Sequence, residues 1–125
     1  MSEHPSATIV IVNYNGAQYL PACLDALNHQ TYPCDRFEVV VSDNGSVDNS
    51  IDLLRNDYAW VKIIENGKNL GFASGNNVAI RASQSDYIVL LNNDTAPHED
   101  WLENLIMVAV QNPKAGVVTS HIHLF

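Results

Sequence analysis

Residues 7–16, ATIVIVNYNG, set a β-branched run from Ala7 to Val12 directly against the polar group Asn13-Tyr14-Asn15-Gly16. A short continuous apolar run reads as a strand buried on both faces, and its abrupt polar end marks where the chain leaves the sheet. The same event recurs at Phe37–Ser42 (FEVVVS), which stops at Asp43-Asn44-Gly45-Ser46, and at Tyr87–Leu91 (YIVLL), which stops at Asn92-Asn93-Asp94-Thr95. Trp60–Ile64 reads as a shorter, alternating strand, and Gly116–Thr119 as a last one.

Between these runs the apolar spacing changes to three and four residues, the period of a helix packing one face on a sheet. Leu20, Cys23, Leu24 and Leu27 predict a helix over Tyr19–Leu27 that ends near Asn28 to Pro33. Ile51, Leu53, Leu54 and Tyr58 predict a second, capped by Ser46 or Asp48. Phe72–Ala82 follows the turn-rich segment 66–71 as a third. Pro97 suits the first turn of a fourth, whose core face would hold Trp101, Leu105, Val108 and Met107. Trp60 and Trp101 are both expected in the core. Strands alternating with helices imply right-handed crossovers and an α/β fold, a mostly parallel sheet flanked by helices on both faces.

The 125 residues make one domain's worth of chain, enough to bury roughly two thirds of its unfolded surface. Residues 1–125 are therefore read as a single domain. With 46% hydrophobic and 16% charged residues the composition is ordinary for a globular protein. The net charge of −8, with only 6 Lys and Arg, excludes a nucleic-acid binder, which needs cations to displace counterions from phosphates. Apolar runs such as Ile88–Leu91 and Leu105–Val110 fall far short of the ~20 residues of a membrane span. Met1–Ser6 is polar and lacks the features of a secretory signal, so a cytoplasmic location is the default expectation. Cys23 and Cys34 are too few for a disulfide scaffold and have no metal-ligand spacing. His121 and His123 read as two side chains on one strand face.

In open parallel sheets, ligands bind beyond the carboxyl ends of the strands, where the strand order reverses. Three separate strand ends here deliver amides and carboxylates to that edge. A dinucleotide fingerprint fails, because the loop after the first strand has only Gly16 where three glycines would be needed. An acidic protein that binds a phosphate compound needs another handle, and Asp94 supplies one by holding Mg²⁺ or Mn²⁺, ions commonly bound through one or two carboxylates plus water and substrate phosphates.

Four ordered blocks, Thr8–Leu20 (TIVIVNYNGAQYL), Val40–Ser50 (VVSDNGSVDNS), Asn69–Ile80 (NLGFASGNNVAI) and Leu90–Thr95 (LLNNDT), together resemble the N-terminal half of family 2 glycosyltransferases, especially rhamnosyltransferase-like members. The resemblance implies a Rossmann-like GT-A fold and binding of a UDP-, dTDP- or GDP-sugar. By position, it places Asn13, Tyr14 and Asn15 in the loop beside the base, with Tyr14 the aromatic for stacking, and makes Asp43 the acid that meets base or ribose. Asn69, Gly71 and Asn77 fall in the segment flanking the nucleotide. Asn92-Asn93-Asp94 stands in place of the family's Asp-x-Asp motif. Asn92 departs from that pattern by bringing no charge, which leaves Asp94 as the principal metal ligand.

The resemblance further implies sugar transfer to a saccharide or lipid-linked acceptor, at a location peripheral to the inner face of the membrane. The family's general base lies in a second, acceptor-binding half, expected to be absent here, so no catalytic base is named. The competing reading is a non-catalytic nucleotide-binding or assembly module, dimerising through surface the second half would cover. A phosphate-signalling receiver domain would need an acidic pair where Asn13 and Asn15 stand, and ranks third.

Overall fold

A computed structural model, which describes residues 4–114, shows a four-stranded parallel sheet in the order β3-β2-β1-β4. The strands are β1 (Ala7–Asn13), β2 (Phe37–Asp43), β3 (Lys62–Glu65) and β4 (Tyr87–Leu90); the helices are α1 (Leu20–Leu27), α2 (Ser50–Asp57), α3 (Phe72–Ala82) and α4 (Trp101–Gln111). β1 pairs with β2 from Ala7↔Phe37 to Asn13↔Asp43 and with β4 from Ala7↔Tyr87 to Val10↔Leu90. Strands and helices alternate without exception, as the change of hydrophobic period requires. The predicted strand at Gly116–Thr119 and the pair His121 and His123 lie outside the described residues.

The two faces of the sheet are unequal. On one, Ile9, Ile11, Val39 and Val41 meet Leu20, Leu24 and Leu27 of α1, Leu54 of α2, and Leu102 and Ile106 of α4 in a single cluster. On the other, the buried cluster among the described residues is Val10, Val40 and Ala79 of α3, with Ile64 and Ile88 packed beside them. α1 and α2 carry the chain outward from β1 to β3 on the first face. α3 then returns it across the second face to β4, on the far side of β1. The strand order therefore reverses between β1 and β4, the kind of switch point beyond whose carboxyl ends open parallel sheets bind ligands.

Four sequence expectations shift. Pro97 lies ahead of α4, which starts at Trp101 after Asp100 at its N-cap. Val108 and Met107 are exposed at 44% and 49%, because the helical phase fixed by Leu102 and Ile106 turns them out of the core. Trp60 is likewise 44% exposed, standing edge-on to Tyr58 ahead of the edge strand β3, while Trp101 packs against the core. β3 runs over Lys62–Glu65, later than expected, and reads as two apolar residues between exposed ends because Ile63 packs on one face of the sheet and Ile64 on the other. Among the described residues no helix is long and apolar enough to cross a membrane.

Removing a large side chain from the thicker core should cost most. Ile9→Ala, at a fully buried site, is expected to lower stability by about 2–5 kcal/mol in urea melts. Val47→Ala, at a position 87% exposed, should stay within about 0.5 kcal/mol of the parent.

Candidate functional site

β1 and β2 end side by side, and continuing the β1–β4 register by three residues brings Asn93 opposite Asn13. The Asn13 side chain, fully buried, ties the three strand ends together. Its Nδ2 donates to Asp43 Oδ1 at 2.9 Å and to Ser46 Oγ at 3.2 Å, and its Oδ1 accepts from Asn93 Nδ2 at 2.9 Å. Asp43 is 2% exposed, and it also accepts from Ser46 Oγ at 2.7 Å and from the Ser46 amide at 2.9 Å. Gly16 packs against this line of amides: a Cβ there would overlap both Asn93 Nδ2 and Asn13 Oδ1. A side chain at residue 16 would force one or both of these amides to shift.

Asn15 adopts a left-handed backbone, φ 52°, which asparagine tolerates better than most residues. Its Oδ1 accepts from the Val47 and Asp48 amides at 2.8 and 3.3 Å, and its own amide donates to Ser46 Oγ at 2.9 Å. Asp48 in turn accepts from the Ala17 amide at 3.1 Å and the Ser50 amide at 3.0 Å. Desolvation would raise the Asp48 carboxyl, but the hydrogen bonds from Ser50 and Ala17 outweigh it and hold the group below its ordinary range. The loops after β1 and β2 thus form one stapled unit, with Tyr14 at its surface, 51% exposed. Neither expected cap sits at the N-cap of α2. That position is Asn49, while Ser46 is drawn to Asp43, and Asp48, one residue earlier, bonds Ser50.

A second polar group fastens segment 66–71 to the end of β2. Asn44, 2% exposed, donates from Nδ2 to the Gly71 carbonyl at 3.1 Å. Asn66 Nδ2 donates to Asn44 Oδ1 and Ser42 Oγ, both at 2.9 Å. Gly71, with φ 85°, takes a conformation that a side chain would strain, and its amide donates to Asn69 Oδ1. Asn69 and Gly71 therefore lie at this rim. Asn77 is exposed and lies five residues into α3 from Phe72, about 7.5 Å along the helix axis, so it is set back from the strand ends.

On the other flank the 92–95 loop folds on itself, Thr95 Oγ1 donating to the Asn92 carbonyl at 2.7 Å. The buried Cys23 thiol lies under the same carbonyl at 3.8 Å. Desolvation, opposed by a hydrogen bond with Thr95 and reinforced by the Asp94 charge, pushes that thiol up to about 11. Asn92 and Asp94 are exposed, and Asn93 is half-buried. Among the described residues no three His, Cys, Asp or Glu side chains converge. One exposed carboxylate, next in the chain to Asn92 and Asn93, is a donor of the kind that suits a hard cation keeping water and substrate oxygens as its other ligands, and not a structural zinc.

The residues that close the site without having been singled out are Gly16, Asn44 and Asn66. Asn44 was legible only as a turn residue, and nothing local in the sequence pairs it with Asn66, 22 residues away.

A model of the family described as glycosyl transferase family 2 matches residues 8–124. Glycosyltransferase AglE of Haloferax volcanii is 33% identical over 102 residues, covering 79% of this chain and 34% of that protein. Poly(ribitol-phosphate) beta-glucosyltransferase of Bacillus spizizenii is 34% identical over 91 residues, 70% of this chain and 14% of that protein. Among solved structures, a mannosyltransferase from Pyrobaculum calidifontis in complex with GDP-Man and Mn²⁺ superposes with a TM-score of 0.79 at 27% identity, covering 86% of this chain and 33% of that one. S. aureus TarS in complex with UDP gives a TM-score of 0.78 at 21% identity, with the same shares covered, a likeness of fold. The chain spans about a third of the length of most curated relatives it matches.

The two cysteines provide a direct check of this packing. In the native protein a thiol reagent at pH 8 should modify the exposed Cys34 rapidly and leave Cys23 unmodified until denaturant is added. Two fast thiols would show that the 92–95 loop does not cover Cys23.

Proposed function

Given that the chain belongs to glycosyltransferase family 2, we propose that it forms the donor-binding part of an enzyme moving a sugar from a nucleoside-diphosphate sugar to an acceptor hydroxyl. The observation that carries this reading is the convergence of the β1, β2 and β4 ends, where Asn93, Asn13 and Asp43 form one hydrogen-bonded line with Asp94 at its margin. Support comes also from the mannosyltransferase neighbour, which holds GDP-Man and Mn²⁺ on the same fold.

In this reading Tyr14 offers its exposed ring to the base, and Asn15 holds the loop that carries it. Asp43, with three of its roughly four acceptor positions filled, turns the remaining one to the base or ribose. Asn69 and Gly71 border the nucleotide on the α3 side, with Asn77 farther back along that helix. Asp94, with the amides of Asn92 and Asn93, would hold a Mg²⁺ or Mn²⁺ ion, whose charge stabilises the departing diphosphate. A single carboxylate attracts the free ion weakly, so metal and nucleotide should bind together. The acceptor is a saccharide or a lipid-linked hydroxyl compound, met at the inner face of the membrane, and the transferred sugar is a hexose or rhamnose.

A second reading, a non-catalytic nucleotide-binding or assembly module that dimerises, draws on apolar surface: Leu90, Met107, Val108 and Val110 are each 44–50% exposed. Release of nucleotide from a sugar donor in the presence of an acceptor would exclude it.

Calorimetry with UDP, dTDP and GDP, with and without Mn²⁺, tests the main reading. Binding should strengthen with Mn²⁺, and Asp94→Ala should remove roughly tenfold or more of that gain, the scale of a lost charged ligand. Absence of binding by every nucleotide, or an unchanged metal effect in Asp94→Ala, would overturn it.

A further inference from the structure

The polarity of the buried amide line is set from one end. A carboxylate can only accept, so Asp43 and Ser46 together compel Asn13 to turn its NH₂ group toward β2. The Asn13 carbonyl oxygen must then face β4, where only a donor satisfies it, and the Asn93 NH₂ group fills that place. An amide that turns its nitrogen inward turns its oxygen the other way. Asn93 is thereby held with its acceptor outward, next to Asp94 in the chain, and among the described residues no hydrogen bond uses that oxygen.

We propose that Asn13 is a positioning residue, which acts through Asn93 to relay the fixed polarity of Asp43 across the rim and so holds the Asn92–Asp94 loop in register for the metal-bound diphosphate. The proposal rests on the donor-site reading but differs from it in assigning Asn13 no contact with the ligand. Full burial of Asn13 favours this division of labour, because a side chain at 0% exposure, with both its polar atoms already engaged, has nothing left to offer a nucleotide. The steric demand at Gly16 is an independent mark of it: any Cβ there would push apart the two atoms that form the bridge.

Two readouts test the relay, with Gly16→Ala as a companion in case Asn13→Ala fails to fold. In nitrogen-15 NMR of the ligand-free chain, the Asn93 side-chain amide should exchange with water more slowly than that of the exposed Asn92. Asn13→Ala and Gly16→Ala should each abolish the difference. Protection of Asn93 that survives in either variant overturns the relay. In calorimetry with UDP and GDP, Asn13→Ala and Gly16→Ala should lose about tenfold of the Mn²⁺-dependent gain in affinity while metal-free affinity changes by less than about twofold. An equal loss with and without Mn²⁺, or none, shows a structural role alone and overturns the proposal. A parent chain that binds no nucleotide refutes the donor-site reading instead, and the Asn93 amide signals then decide the relay by themselves.

Discussion

Burial of the Asn13 amide at the end of β1 constrains everything around it. A buried polar group left without a partner costs about 1–3 kcal/mol, so the fold must bring Asp43, Ser46 and Asn93 to it from two neighbouring strand ends. That requirement fixes the relative position of three loops. The loop after β1 is stapled to the loop after β2 through Asn15 and Asp48, and the 92–95 loop is drawn in through Asn93. Among the described residues no buried side-chain polar atom is left unpaired, so the rim is a closed network that leaves little freedom to its members.

The unequal faces of the sheet give this network its footing. Ile9, Ile11, Val39 and Val41 rest on α1, α2 and α4, the larger of the two buried clusters among the described residues. The single helix α3 on the other face brings Gly71 and Asn69 to the rim at its amino end, fastened by Asn44 and Asn66. A chain of net charge −8 repels a diphosphate at long range, and in the proposed reading the exposed Asp94 carboxylate offsets this by sharing a divalent ion with the donor. An acidic surface and a phosphate ligand are compatible once the cation arrives with the ligand.

The amino-acid sequence by itself determined the order of strands and helices, the parallel α/β class and the gathering of polar residues at three strand ends. It could do so because hydrophobic period and abrupt polar endings are local properties, readable within windows of ten residues or so. Family membership was legible for a related reason: the four blocks keep their order along nearly the whole chain, and the family model matches residues 8–124. Helix phase was less secure, as Val108 and Met107 show, because a helix with apolar residues on several sides is oriented by its neighbours. The tertiary structure alone decided which amides face inward and which face solvent. Asn13 meets Asp43 across 30 residues and Asn93 across 80, and Asn44 meets Asn66 across 22. No local pattern encodes such pairings, since an asparagine at a strand end looks the same whether it binds a ligand or another asparagine. Its role is fixed only when sheet register sets the partner opposite it.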